Sequence, residues 1–281
     1  MRLLDLLYYT GIPIAISSTS AVVVFLLIFD FSIDYKLIIT IFTITFGSYN
    51  MDRIKWAEKD KGDHPERSSL FIEYKTTILI FVVLSLILGI AFAFMQSIIF
   101  GILVFIAPSV VFLYSFEIGN KKDSIKKIPY AKNIVIAGGW SALILVVLIF
   151  NDSFFTIPIL ICSFGVFGKF YIMAVVYDFK DISTDRKMRI KTLPNSIGEK
   201  KTKAILHFIN IISTIVIITI AFYEFISVIG YLFIPAFFYQ VALIEKASEN
   251  APDWVFYGMC DLEQFFWLLF AVGIMIIIHL W

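Results

Sequence analysis

Cysteine is nearly missing from this chain: there are two, Cys162 and Cys260, far apart and without metal-ligand spacing. That excludes a disulfide framework and a thiolate metal centre, and reads each as a packed helix residue. Histidine is equally sparse. His64, His207 and His279 have no ligand-like spacing, which argues against an imidazole-based metal site. Charge is thin as well: 16% of the 281 residues are charged and the net charge is +1. That net charge by itself says nothing about nucleic acid, because the charges are segregated and not absent; no nucleic-acid partner is expected. Low-complexity tracts and a soluble domain are also absent from the pattern, so the chain reads as one domain over 1–281.

What fills the chain is apolar: 60% of its residues are hydrophobic, including 30 Phe and 13 Tyr. A soluble protein could not bury that much apolar surface, so the solvent is expected to be lipid. Apolar runs occur at roughly 11–29, 37–50, 76–95, 97–115, 130–150, 154–177, 204–223, 226–244 and 264–281. Most approach the ~20 residues that cross a bilayer core. The second is short, but a helix could continue into the polar stretch after it. The expected fold class is therefore all-α, a polytopic membrane protein of nine transmembrane helices around a central cavity, capped by polar loops. The start, M-R-L-L-D-L-L-Y-Y-T, holds an acid and runs into the first apolar segment, which does not read as a cleavable signal.

The connections alternate. Loops 51–75, 116–129 and 178–203 are long and basic, whereas those after runs 1, 3, 5 and 7 are short and almost free of Lys and Arg. Of the 23 basic residues, Lys36 alone falls on the sparse side and Lys169 falls inside a span. Positive charge resists translocation, so the rich side, with the N-terminus, is expected in the cytoplasm and the C-terminus opposite. Pro13, Pro108, Pro158 and Pro235 fall within apolar runs, where kinks could shape a cavity.

The sharpest polar feature follows the sixth run: Y-D-F-K-D-I-S-T-D-R-K-M-R-I-K-T-L-P. Asp178, Asp181 and Asp185 are spaced by three and four residues, which places three carboxylates on one helical face. Unscreened, they would repel. Hard cations among them would relieve this, and Mg²⁺ prefers oxygen ligands shared with substrate phosphates. Lys180, Arg186, Lys187, Arg189 and Lys191 lie close by, the mixture a diphosphate–Mg²⁺ complex needs; a solvated loop of mixed charge is the plain alternative. A second polar stretch follows run 2. Asp52 and Asp60 are eight residues apart, nearly on one face; Glu58 and Asp63 add oxygens, and Arg53, Lys55 and Arg67 add cations. Lys169 is the one base inside a span, about 13 Å along the helix from Asp178 and half a turn round from it. A substrate contact competes there with snorkelling or pairing to an acid. Asp261 and Glu263 precede the last run and could simply mark its end.

Together these stretches resemble the UbiA superfamily of intramembrane prenyltransferases, with nine transmembrane helices and Asp-rich motifs after helices 2 and 6. The second motif, D-x-x-D-x-x-x-D followed by Thr192, Leu193, Pro194 and Gly198, is similar to the family pattern in full. The segment Tyr130–Trp140 is similar to a K-N-x-x-x-x-x-x-W element, which implies that Lys132 and Asn133 point into the site. The first motif departs. With Asp60 and Pro65–Arg67 aligned, Arg53 stands at one acidic position and Trp56 at the middle one. The resemblance implies Mg²⁺ held by Asp178, Asp181 and Asp185, with Asp52 and Asp60 as further ligands, and an isoprenyl diphosphate met by Asp52, Arg53, Lys55, Arg67, Lys132, Asn133, Lys169, Lys180, Arg186 and Lys191. The reaction implied is prenyl transfer to a lipophilic or aromatic acceptor, the partners being that acceptor, the donor and membrane lipid. A terpene cyclase and a non-catalytic or transport descendant of the fold stay open.

Overall fold

The structure, a computed structural model, describes residues 9–58, 65–105, 130–151, 153, 156–187 and 190–280. Among these all regular structure is helical. The helices are α1 (Ile12–Ile28), α2 (Tyr35–Trp56), α3 (Pro65–Glu73), α4 (Lys75–Gln96), α5 (Ala131–Phe150), α6 (Ile157–Lys180), α7 (Ile182–Lys187), α8 (Leu193–Ile197), α9 (Glu199–Phe222), α10 (Phe233–Lys246) and α11 (Glu263–Leu280). A 3₁₀ turn, Val228–Leu232, leads into α10, and a π-helical turn, Trp254–Cys260, precedes α11.

Six helical segments are long and apolar enough to cross a membrane: α4, α5, α6, α9, Val228–Lys246 and α11. The 17-residue α1 is shorter. The second apolar run does continue into the polar stretch, because α2 reaches Trp56 and its last turns hold Asp52, Arg53 and Lys55. Of the fourth run only residues 97–105 are described, and 98–105 are helical. The count of nine therefore extends beyond the described residues, as do Asp60, Asp63, His64, Pro108, Arg189 and loop 116–129. The described prolines among those four stand near helix starts. Pro13 and Pro158 stand in the first turns of α1 and α6, and Pro235 in the first turn of α10, where a missing N–H breaks no helical hydrogen bond.

The chain forms two compact units: Met1–Thr19 with Asp34–Ile125, and Ser20–Ile33 with Lys126–Trp281. In the first, α2 packs along α4. Gly47 of α2 lets Leu86 approach, Gly89 of α4 lets Thr43 and Ile44 approach, and the Ser85 hydroxyl donates to the Thr43 carbonyl at 2.7 Å. Asp34 caps α2 by accepting from the Lys36 N–H at 2.7 Å, satisfying one orphan donor of its first turn.

In the second unit α6 is the most buried span, flanked by α5 and α9. Gly165 and Gly168, one turn apart, take Ile217 and Ser213 of α9 at distances a Cβ would not allow. On another side runs a series of rings: Trp140 and Phe170 at 5.3 Å, Phe170 and Trp267 at 5.6 Å, Trp267 and Phe233 at 5.0 Å. These rings are buried against each other. Cys162 and Cys260 are buried and free, as packed helix residues are.

Candidate functional site

α6 ends at Lys180, Asp181 makes the turn, and α7 restarts at Ile182. The Asp185 N–H still donates to the Asp181 carbonyl at 2.8 Å, so helical spacing persists through the break. Asp178, Asp181 and Asp185 consequently face one way, and what they face is Lys132 in the first turn of α5. Its Nζ lies 2.9 Å from Asp178 Oδ1, 3.6 Å from Asp181 Oδ2 and 3.7 Å from Asp185 Oδ2. The next residue, Asn133, donates its amide to Asp178 Oδ2 at 2.5 Å. The start of α5 is fixed to the acidic segment from the other direction too. The Tyr130 N–H donates to the Lys191 carbonyl at 3.1 Å, with Tyr130 in the left-handed conformation at φ 62°.

The segment after Lys191 is held by its own caps. Asn195 accepts from the Thr192 N–H at 3.1 Å and donates to the Ile190 carbonyl at 2.7 Å. Gly198 sits at φ 83°, a conformation that disfavours any side chain, and so joins α8 to α9 in a sharp bend. The T-L-P-x-x-x-G run thus acts as a backbone brace; Asn195 within it was missed by sequence reasoning, although a Thr followed three residues later by a polar amide is a capping signal.

Charge in this cluster is concentrated. All three carboxylates lie around the Lys132 ammonium, and Asp178 is fully buried while Asp185 is only 4% exposed. Among the described residues, Asp178 Oδ1, Asp185 Oδ2 and Asn133 Oδ1 are buried without a donor in good hydrogen-bond geometry. Burial pushes the Asp185 carboxyl up to about 7; the Lys132 charge opposes this and the neighbouring carboxylates add to it. The donor set, the hard oxygens of three carboxylates gathered about one point, fits Mg²⁺ in chemistry. It is not a finished cage: among the described residues no three ligating side chains are arranged around a metal position. The Lys132 ammonium lies among the three carboxylates.

The other expected cations are distributed differently. Lys180 pairs with Asp253 and lies over the rings of Phe256 and Tyr257, at 5.3 and 4.8 Å. Arg186 and Lys191 are exposed on the same segment. Lys169 neither snorkels nor touches an acid. It is fully buried, and its Nζ donates to Asn210 Oδ1 and Thr214 Oγ1 of α9, each at 2.6 Å. The half-turn offset explains the separation: Asp178 faces α5, Lys169 faces α9. Asp261 and Glu263 do more than mark a helix end, since Tyr177 donates to Asp261, and Gln240 donates to Glu263 at 2.8 Å and to the Lys169 carbonyl at 3.1 Å.

In the first unit, the indole of Trp56 donates to Asp52 Oδ1 at 3.1 Å, and Lys55 lies 5.4 Å from the Trp56 ring centre. Arg53 donates to the Tyr9 carbonyl at 2.8 Å, while the Tyr9 hydroxyl donates to Glu66 at 2.6 Å. Arg67 is half-buried on α3.

A cavity of about 920 Å³ in the second unit is lined by Ile28, Thr156, Ile159, Glu224, Phe225 and Tyr231, among others. It lies at the opposite end of α6 from Asp178, about 28 Å along the helix from Ile159. It is not a hollow beneath the acids.

A family model described as the UbiA prenyltransferase family matches residues 74–270. The chain belongs to the UbiA prenyltransferase family. It is an integral, multi-pass membrane protein on the strength of that membership and its long apolar helices. No protein of curated function matches it in sequence. Among solved structures it is similar to a UbiA homologue from Aeropyrum pernix K1, with TM-score 0.70, 11% identity and 94% of this chain against 98% of that one covered. It is also similar to a UbiA homologue from Archaeoglobus fulgidus bound to GPP and Mg²⁺, with TM-score 0.69, 14% identity and 96% against 98% covered. A digeranylgeranylglyceryl phosphate synthase gives TM-score 0.58 at 18% identity, with 96% against 99% covered. At these identities the likeness is one of fold.

Proposed function

We propose that this protein transfers a prenyl group from an isoprenyl diphosphate to a lipophilic or aromatic acceptor within the membrane, with Mg²⁺ bound by Asp178, Asp181 and Asp185. The observation that carries this is the convergence of three carboxylates, two of them buried, on one cationic point at the end of a buried span. Family membership supports it, and the fold neighbour from Archaeoglobus fulgidus binds GPP with Mg²⁺.

Bound Mg²⁺ supplies charge neutralisation for the diphosphate as its C–O bond breaks. The chain's own residues do the rest. Asn133 fixes the Asp178 carboxylate through its amide, so the ligand oxygens are oriented in advance. Lys132, on a flexible stem beside these carboxylates, brings a positive charge to the leaving diphosphate. Lys180, Arg186 and Lys191 add positive charge along the rim. The face bearing these residues is the cytoplasmic one in this reading, because Lys and Arg concentrate in its loops.

The test compares diphosphate release from isoprenyl diphosphates by the purified protein and by Asp181→Ala, with Mg²⁺ present. The expected loss is on the order of 100-fold; equal release by both forms would reject the assignment. A second reading, a non-catalytic binder of the same lipid diphosphate, is favoured by Trp56, which stands at an acidic position of the motif and occupies Asp52. Binding without release of diphosphate identifies it. Products formed without added acceptor distinguish a cyclase.

A further inference from the structure

We infer that Lys132 is the resident counter-ion of the carboxylate triad and that a divalent cation enters only by displacing its ammonium. This rests on the metal reading of the triad proposed above, and adds an order of events to it.

The geometry makes the two occupants exclusive. Lys132 Nζ is within 3.7 Å of an oxygen from each of Asp178, Asp181 and Asp185, so it stands at the point the three have in common. A metal ion bound by those oxygens would share that space with a like charge at contact distance, which low local dielectric makes strongly unfavourable. The same ammonium explains why these carboxylates can stay close together in the metal-free protein.

Displacement is built into the side chain. Lys132 is a flexible four-carbon stem in the first turn of α5, and its side chain keeps 17% of its surface exposed, whereas Asp178 keeps none. The lysine can therefore swing outward while Asp178, held by Asn133, stays. Once released, the ammonium is an unpaired charge beside a metal site, ready for an anion. Metal and diphosphate then assist each other: the metal frees the lysine, and the anion gives it a new partner. Neither binds well alone, which guards the site against divalent cations in the absence of substrate.

The experiment is direct binding of Mn²⁺, followed by electron paramagnetic resonance, to the full-length protein in detergent. Wild type and Lys132→Arg, which keeps the charge, should bind weakly. Lys132→Gln should bind about tenfold or more tightly, within the usual range for a coupling between two occupants. Lys132→Gln combined with Asp178→Asn should lose the gain. A second readout uses the wild-type protein alone: labelling of Lys132 by an acylating reagent, read by mass spectrometry, should rise as Mn²⁺ is added. Lys132→Gln binding no more tightly than wild type, while Asp178→Asn still abolishes Mn²⁺ binding, would overturn the exchange and leave the metal site standing. Unchanged or reduced labelling with Mn²⁺ bound would overturn it equally, whether or not the Gln variant folds. Absence of Mn²⁺ binding in every form would remove both the exchange and the metal reading of the triad.

Discussion

Lys132 and Lys169 both bring an ammonium into the interior of the second unit, yet Lys132 meets three carboxylates whereas Lys169 meets an amide oxygen and a hydroxyl. Around Lys132 three carboxylates converge on one ammonium, and the lysine side chain keeps 17% of its surface exposed. Around Lys169 both hydrogen-bond partners are neutral, the buried Glu263 carboxylate lies near enough to act on it by charge, and no surface is left exposed. The first arrangement gathers acids around a lysine that keeps some exposure. The second is closed, tying α6 to α9 and, through Gln240, to α10 and α11. A buried charge in a membrane protein is thus not a site by itself; what matters is whether its neighbours overcompensate it.

The comparison breaks most visibly at Asn210. If Lys169 is a closed structural centre, Asn210→Leu leaves a buried ammonium with one hydroxyl partner. The loss should be about 2–3 kcal/mol, the upper range for hydrogen bonds to charged groups. A lowered midpoint of thermal unfolding in detergent checks this. Adding Lys169→Met should recover most of the loss, because the pair then no longer buries an unsatisfied charge. Diphosphate release per folded molecule should barely change in the double variant. A tenfold loss there would put Lys169 back among the substrate-contacting residues.

The next effect sharpens the Lys132 side. The Asp185 carboxyl, raised to about 7 chiefly by burial, keeps its proton in the metal-free fold over the range where an unfolded Asp has lost it. Between the unfolded value near 3.8 and about 7 the native state binds more protons, so this group's contribution to stability falls as pH rises through that window. A metal must displace the same proton. Apparent Mn²⁺ affinity should therefore fall on acidification below about pH 7, by up to about tenfold per pH unit for one proton exchanged. Asp185→Asn should flatten the slope. A pH-independent affinity in the wild type would show that Asp185 is already ionised.

Much of this was legible beforehand, for identifiable reasons. The spans follow from long apolar runs, and the shared face of Asp178, Asp181 and Asp185 follows from helical periodicity, which survived even the turn at Asp181. Lys132 was expected near the site only through the family resemblance. Spacing cannot place it, because the contact joins two helices far apart in sequence. The partners of Lys169 were not foreseen at all. Asn210 and Thr214 are single polar residues in an apolar helix, and only their separation of one turn hinted that they share a face. Which aromatics pack on each other was likewise not readable from sequence; Trp140, Phe170 and Trp267 do so across three helices far apart in the chain.

The smallest expected effect concerns the first acidic stretch, which contrasts with the triad in the opposite sense to Lys169. Asp52 has an oxygen committed to the Trp56 indole. A neutral hydrogen-bonding replacement, Asp52→Asn, keeps a carbonyl acceptor for that indole and should cost about fivefold or less in diphosphate release, equivalent to about 1 kcal/mol, the net value of a single ordinary hydrogen bond. The Asp181→Ala loss is expected to be far larger, because there a carboxylate charge is removed from a place where it is concentrated. If the two losses prove equal, Asp52 contributes a charge of the same order as the triad. Trp56→Asp, restoring an acid at the departing position, would then be expected to raise release above wild type; with Asp52 a minor contributor, it would leave release unchanged.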